Sequence, residues 1–170
     1  DVQALHQHSL RSANAARAQA VCDFDVSRLE FTQQRWEVGS AAGTLRAPII
    51  VNAAGAWADT IGALAGARPL GLQPKRRSAF TFAAPPGLDA RGWPCVVGID
   101  EDFYFKPDAG VLLGSPANAD AAPPHDVVAE ELDIATGIAR IEAVTAMTIR
   151  RPLRTWAGLR SFVPDGALVG

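Results

Sequence analysis

Three side chains that could bind an anion lie far apart in the sequence: Arg77, Tyr104 and Arg160. Arg160 closes a predicted strand, follows Gly158 and precedes a turn built on Pro164-Asp165-Gly166. An arginine there can present its planar fork to a carboxylate through two parallel hydrogen bonds, and a glycine nearby lets a ligand approach the backbone. An ordinary surface ion pair explains the same pattern, and the residues alone slightly favour it.

Arg77 belongs to the cationic group Lys75-Arg76-Arg77, inside a predicted strand over residues 73–82. Alternation along a strand places Arg76 on one face, with Lys75 and Arg77 on the other. Charges that keep an edge strand from pairing with other chains are the more common explanation of such a group. A ligand-binding arginine is the alternative.

Tyr104 is the only tyrosine, and it lies between Phe103 and Phe105 in a predicted hairpin strand. It therefore faces away from both phenylalanines. The tyrosine could pack with its hydroxyl at the surface, or it could donate that hydroxyl to a ligand carboxylate. The pattern does not choose between the two.

Several classes of protein find no support in the sequence. His6 and His8 are two residues apart and point to different sides of a predicted helix, so no metal site is predicted. The nucleophile pattern G-x-S-x-G and the phosphate-binding P-loop are absent. The net charge of -2 gives no reason to expect nucleic acid as a partner.

The cysteines and the apolar runs indicate where the protein works. Cys22 and Cys95 stand in unrelated contexts, so we expect both to stay reduced in a cytoplasmic protein. The longest apolar run, residues 47–58, is too short and too interrupted to span a bilayer. Association with the inner face of a membrane stays open.

The elements that must position these residues can be predicted from periodicity and breakers. They are a helix over 2–18, strands over 21–26, 33–38 and 48–52, a helix to about 65, a strand over 73–82, a hairpin of 102–107 with 110–115, a helix over 126–145 and a strand over 148–156. Helix–strand alternation followed by a strand-rich block predicts a mixed α/β fold with two subdomains.

The run Pro48–Asn52 has two apolar faces, which is typical of a buried parallel strand. It leads through Ala53-Ala54-Gly55-Ala56-Trp57 into the predicted helix. Small residues at such a junction let a ligand reach the backbone, and the helix N-terminus favours negative charge there.

Longer stretches of the chain resemble a known family. Residues 51–59 resemble the last strand of the flavin domain in the D-amino acid oxidase/glycine oxidase superfamily, and residues 103–107 with Gly114 resemble its sheet strand over the flavin. Residues 156–160 with 164–166 resemble the segment that returns to the flavin domain. Within the superfamily, residues 68–80, 106–120 and 132–137 are most similar to the FAD-dependent D-arginine dehydrogenases.

The resemblance implies part of a Rossmann-like FAD domain over 1–66, a mixed antiparallel-sheet substrate domain over 67–153 and a return segment over 154–170. It implies oxidation of D-amino acids, D-arginine and other cationic or hydrophobic ones, to imino acids by hydride transfer to FAD. Water then releases a 2-oxo acid and ammonia. The electrons pass to oxygen or to another acceptor, which the sequence leaves unknown.

The resemblance also assigns residues. Arg160 and Arg77 match two arginines that bind the substrate carboxylate, and Tyr104 matches the tyrosine whose hydroxyl reaches it, as a substrate-binding and catalytic residue. The expected FAD contacts are Val26, on the adenine side, and Ala53, Ala54, Gly55 and Trp57 near the flavin. An amine oxidase of the glycine or sarcosine type, or a non-catalytic carboxylate-binding domain, is the alternative function.

The glycine-rich fingerprint that cradles the FAD diphosphate is absent from the sequence. We therefore expect an internal piece of a longer enzyme, which alone binds FAD weakly or not at all and has no turnover. Absorbance spectra of the purified 170-residue chain test this expectation. A stoichiometric, tightly bound flavin spectrum would contradict it.

Overall fold

A computed structural model describes residues 2–166 of the chain, which divide into two compact units. The N-terminal unit holds residues 2–51 and 64–67, and the sheet unit holds residues 52–63 and 68–166. The domain boundaries expected from the sequence, after residues 66 and 153, stay predictions.

Helices and antiparallel strands alternate along the chain, which confirms a mixed α/β fold. In chain order the elements are α1 (Val2–Ala15), β1 (Arg28–Thr32), β2 (Arg35–Ser40), β3 (Gly43–Ala47), a 3-10 turn (Gly55–Trp57), α2 (Ala58–Leu64), β4 (Gln73–Phe82), β5 (Val96–Val97), β6 (Tyr104–Asp108), β7 (Val111–Ser115), β8 (Asp120–Ala121), α3 (Glu131–Val144) and β9 (Arg154–Phe162). No helix among residues 2–166 has the length and apolarity needed to cross a membrane.

The N-terminal unit contains α1 and the antiparallel meander β1-β2-β3. Gln33 and Gln34, with φ angles of 48° and 60°, form the β1–β2 turn, a left-handed pair that suits the twist of a hairpin. The strand expected over 21–26 is wrong. Asp23 adopts a left-handed φ of 54°, which interrupts an extended run, and the partner of β2 is β1 instead.

The buried parallel strand expected at Pro48–Asn52 is also wrong. These residues form no strand, and the side chains of Ile49 and Val51 are 76% and 85% exposed. No described strand pairs with this run. A strand with two apolar faces is stable inside a sheet whose two faces are both covered, and these residues belong to no sheet. The helix that follows is confirmed as α2, entered through the 3-10 turn.

In the sheet unit, β4 is the strand on which the others assemble. It pairs antiparallel with β7 over Phe80–Phe82, and with β9 over Gln73–Thr81 on its opposite edge. The short β8 pairs at Lys75 and Arg76, while β6 and β5 extend the sheet beyond β7. The strand predicted for β4 and the β6–β7 hairpin are confirmed, the latter with a turn at Ala109 and Gly110, whose φ angles are 45° and 88°.

The strand predicted over 148–156 begins further along the chain, as β9. Pairing with β4 begins where the Leu153 N–H donates to the Thr81 carbonyl at 2.7 Å. Continued in this register, residues 148–152 would lie beside residues 83–87, which form no strand, so the pairing has no partner along which to extend toward residue 148.

Helix α3 begins at Glu131 rather than at residue 126 as predicted, because Glu130 is still extended, with ψ of 144°. Its Ile134 and Ile141 are buried, and Ile138 packs against the same cluster. Opposite them in the core stand Phe80, Phe82, Phe105 and Leu112 of the sheet.

Two glycines let α3 approach the sheet closely. A Cβ at Gly114 of β7 would lie 2.8 Å from Cζ of Phe80 and 2.9 Å from Cδ1 of Ile141. A Cβ at Gly137 of α3 would lie 2.9 Å from Cε1 of Phe80. The Phe80 ring therefore fills the space that side chains at both positions would occupy.

We expect Gly114→Ala to lower the free energy of unfolding by about 1–3 kcal/mol, the usual cost of overpacking a core. Urea unfolding followed by circular dichroism measures the change. Gly158→Ala is the matched control in β9, since a Cβ there meets nothing within 4 Å, and its unfolding midpoint should stay close to that of the parent. Equal midpoints for Gly114→Ala and the parent would contradict the packing described here.

Candidate functional site

The sheet of the sheet unit has one face covered by α3 and one face that carries cations. Phe80 and Phe82 point toward α3, so alternation turns Arg77 and Lys75 to the other face. Residues directly opposite in an antiparallel pair share a face. The register Lys75↔Arg160 and Arg77↔Gly158 therefore places Arg160 on that face too.

Tyr104 reaches the same face from β6. Phe105 lies opposite Gly114, which lies opposite Phe80, so all three belong to the face under α3. Tyr104 precedes Phe105 and alternates to the other face, as the sequence predicted, and it is half-buried whereas Phe103 and Phe105 are buried. We call the face with Lys75, Arg77, Tyr104 and Arg160 the cationic face.

The electrostatics of Arg77 show that the three predicted anion-binding residues are neighbours. Burial lowers the pKa of Arg77, and the positive charge of Arg160 lowers it further, while Tyr104 counteracts both. Among residues 2–166 no carboxylate forms an ion pair with Arg77 or Arg160. Two guanidinium groups held together without a counter-ion form a place where an anion is stabilised.

Arg76, the adjacent residue, has the opposite surroundings. It pairs with Glu130, with Asp133 at 3.3 Å and with Asp120 at 3.5 Å, on the α3 side of the sheet. Burial pulls the pKa of Arg76 down, but these carboxylates outweigh burial and leave it raised. In the described part of the chain, carboxylates neutralise Arg76, whereas none pairs with its neighbour Arg77.

A cleft of about 630 Å³ lies in the same unit. Its lining is formed by Ala53-Ala54-Gly55-Ala56-Trp57, His125-Asp126-Val127 and Ala157-Gly158-Leu159. Gly55 has a φ of 55°, and a Cβ at Gly55 or Gly158 would meet nothing within 4 Å. Main chain and small side chains on two sides leave room for a flat ring to lie against the backbone.

Two side chains that sequence reasoning missed hold the backbone before and after α2. The Asn52 amide accepts from Ala54 N at 3.2 Å and donates to the Ala58 carbonyl at 2.8 Å. The Asp59 carboxylate accepts from Leu70 N at 2.9 Å and Leu72 N at 2.8 Å. Asparagine at the start of a turn commonly bonds to backbone a few residues on, and that signal could have identified Asn52. The partners of Asp59 are 11 and 13 residues away, so no local signal identifies it.

The remaining predicted residues lie as follows. Ala53, Ala54, Gly55 and Trp57 all line the cleft. Val26 lies in the N-terminal unit between α1 and β1, half-buried. His125, which the sequence gave no reason to single out, also lines the cleft, with Nδ1 2.7 Å from the Pro123 carbonyl oxygen.

The same fold occurs in oxidases and dehydrogenases of known structure. Glycine oxidase from Geobacillus kaustophilus matches 91% of this chain with a TM-score of 0.74 and 22% identity. L-proline dehydrogenase from P. horikoshii matches 90% with a TM-score of 0.72 and 22% identity, and iminodiacetate oxidase from Chelativorans sp. BNC1 matches 91% with a TM-score of 0.65 and 23% identity. The chain spans 40%, 41% and 41% of these three chains, respectively.

The family itself follows from the sequence match. The family model described as FAD dependent oxidoreductase, DAO, matches residues 1–170. This chain belongs to that family, whose cofactor is FAD.

The pKa of the Asp59 carboxyl is lowered from 3.8, first by the hydrogen bond from Leu70 N and then by that from Leu72 N. A carboxylate with a depressed pKa stabilises the fold above its unfolded pKa, and this contribution is lost as the pH falls through the folded pKa. Asp59→Ala should therefore be less stable than the parent at neutral pH, and the difference should shrink below pH 3.8. Unfolding curves over a pH series measure it.

Asp100→Ala is the control for this series, because Asp100 is exposed and no hydrogen bond or ion pair of this residue is found within residues 2–166. Its stability should follow that of the parent at every pH. A stability difference for Asp59→Ala that does not change with pH would contradict the role given to the carboxylate.

Proposed function

We propose that the protein carrying this chain oxidises D-amino acids, D-arginine among them, and that Arg77, Arg160 and Tyr104 bind the substrate carboxylate. The observation that supports this is the cationic face, where two guanidinium groups and a phenol come together without a carboxylate from residues 2–166. A substrate carboxylate would supply the missing negative charge.

We call Arg77, Arg160 and Tyr104 together the carboxylate clamp, and their residue types suit this role. Arginine stays protonated and offers parallel N–H groups that match the two carboxylate oxygens, which lysine cannot do. The Tyr104 hydroxyl adds a donor from a different strand, so the carboxylate would be fixed from β4, β6 and β9. Rigid strands hold such groups more precisely than loops do.

By holding the substrate carboxylate, the clamp would orient the substrate Cα–H toward the group that oxidises it. When bound, FAD supplies the electron chemistry by accepting a hydride from the substrate, while the protein orients the partners. The amino nitrogen gives up a proton, and the resulting imino acid reacts with water to give a 2-oxo acid and ammonia. Arg77, Arg160 and Tyr104 take no electrons themselves; their contribution is to fix position and orientation.

The FAD assignment agrees with the cleft. Ala53, Ala54, Gly55 and Trp57 would lie against the flavin, and the open Cβ positions at Gly55 and Gly158 leave space for its ring system. Val26 would lie beside the adenine. The acceptor that later removes the electrons is not defined by these residues, and we expect the reaction to take place in the cytoplasm.

The preference for D-arginine rests on the similarity of residues 68–80, 106–120 and 132–137 to D-arginine dehydrogenases. The clamp itself recognises only the carboxylate, which all amino acids share. A glycine- or sarcosine-type amine oxidase would use the same clamp, and the fold match to glycine oxidase supports this second candidate. A carboxylate-binding domain without redox chemistry is a third.

A substrate panel on the whole protein separates these candidates. Bound flavin would be bleached anaerobically by D-arginine and other D-amino acids under the leading proposal, and by glycine or sarcosine under the second. If no amino acid or amine bleached the flavin, the remaining candidate would be a carboxylate-binding domain without redox chemistry. Parallel assays with oxygen and with an artificial acceptor then distinguish an oxidase from a dehydrogenase.

We expect Arg160→Met in the whole protein to raise KM for D-amino acids by roughly 30-fold or more, since losing one partner of a desolvated charge pair costs about 2–5 kcal/mol. Steady-state kinetics measure the change. Arg154→Met is the matched control, because Arg154 begins the same strand, about 20 Å from Arg160 at the usual rise per residue. An unchanged KM for Arg160→Met would remove Arg160 from the clamp.

A further inference from the structure

The loop after β7 supports the Arg77 side chain from behind. The Asn118 backbone carbonyl accepts a hydrogen bond from Nε of Arg77. This bond uses the inner nitrogen of the guanidinium, which leaves its two terminal nitrogens for other partners. The carbonyl is neutral, so it fixes the direction of the side chain without cancelling its charge.

The Asn118 side chain fastens this carbonyl to β4. Its Oδ1 accepts from the backbone N–H of Ser78, the neighbour of Arg77, at 2.8 Å. Its Nδ2 donates to Asp120 Oδ2 at 2.6 Å and to Asp133 Oδ2 at 3.0 Å. One amide thus connects β4, β8 and α3.

Ser115 holds the other end of the loop. Its hydroxyl donates to the Ser78 carbonyl at 2.7 Å and accepts from Ala117 N at 3.0 Å. Between Ser115 and Asn118 the chain turns through Ala117 in a left-handed conformation, with φ of 51°, which is uncommon for a residue with a Cβ. Such conformations persist where the surrounding structure fixes them.

The arrangement also separates charges. Asp120 and Asp133 pair with Arg76 on the α3 side, and the Asn118 amide binds both of them there. Only its main-chain carbonyl reaches Arg77. Asn118 therefore lies at the boundary between the neutralised arginine and the unneutralised one.

We infer that Asn118 is a positioning residue for the carboxylate clamp: it orients Arg77 through its carbonyl and holds Asp120 and Asp133 on the side of Arg76. The inference rests on the proposed function, because it assigns Asn118 a role in binding the substrate carboxylate. Asn118 itself touches no substrate in this assignment.

The test uses the whole protein with the D-amino acid that it turns over best, and acetate as a competitive inhibitor. Asn118→Ala should raise KM and the Ki of acetate by the same factor, roughly tenfold, as expected when a charged hydrogen-bonding group is misplaced, with kcat within about twofold. Thr145→Ala is the matched control. It also removes a side chain that accepts from a backbone N–H and donates to a second group, but at the far end of α3, so its KM should stay unchanged.

A double-mutant cycle separates positioning from a general loss of structure. In the Arg77→Leu background, Asn118→Ala should cause no further rise in KM, because the side chain that it orients is gone. Asn118→Ser, which keeps a short hydroxyl near Ser78 N, should give a smaller rise in the same direction and serves where Asn118→Ala does not fold.

The outcomes distinguish the two claims. If Arg77→Leu and Arg160→Met leave KM unchanged, the proposed clamp is wrong. If they raise KM while Asn118→Ala and Asn118→Ser bind substrate and acetate like the parent, the clamp stands and the role of Asn118 is wrong. Additive effects of Asn118→Ala and Arg77→Leu would likewise overturn it.

Discussion

In β4 the side chains of Arg76 and Arg77 point to opposite faces of the sheet, as consecutive residues of any strand do. On one side three carboxylates surround Arg76. On the other side Arg77 has Arg160, Tyr104 and a backbone carbonyl. Arg77 is half-buried and Arg160 is exposed, and like charges brought close together cost free energy unless an anion joins them. Within residues 2–166 no carboxylate pairs with either arginine of this face, and the proposed carboxylate substrate would supply the missing negative charge.

The rest of the sheet unit can be understood as support for that face. The Phe80 ring and the glycines at 114 and 137 let α3 cover one side closely, so that the other side stays available. Pairing of β9 along nearly the whole of β4 sets Arg160 beside Arg77. Hydrogen bonds of Asn52 hold the loop that lines the cleft, and the Asp59 carboxylate holds Leu70 and Leu72 ahead of β4. Each of these features fixes the position of the main chain. The proposed clamp depends on these positions, because they determine where Arg77, Tyr104 and Arg160 can place their side chains.

Local sequence patterns predicted correctly those elements whose structure depends mainly on neighbouring residues. The alternation of β4 and the turn between β6 and β7 were predicted correctly, and with them the faces of Arg77 and Tyr104. The strand expected at Pro48–Asn52 failed because a sheet needs a hydrogen-bonded neighbour, which no local pattern reveals. The start of β9 was predicted too early because its partner β4 ends at Phe82, and the pairing register of two distant strands is not visible in a local pattern. The residues around Arg160 slightly favour a surface ion pair, and only the family resemblance connects Arg160 with Arg77.

Contacts between distant segments explain what else was missed. Asn118 has an ordinary loop sequence around it, and its four partners come from β4, β8 and α3. The network around Arg76 likewise joins residues more than forty positions apart. Such contacts follow from the register of strands and the docking of a helix, which single-sequence patterns do not fix.

A crystal structure of the whole protein with a bound carboxylate ligand would test the central claim most directly. The account predicts the carboxylate on the cationic face, with hydrogen bonds from both Arg77 and Arg160 and with the Tyr104 hydroxyl at the same group. A carboxylate bound elsewhere, or a side chain of the protein itself occupying the space between the two guanidinium groups, would contradict it.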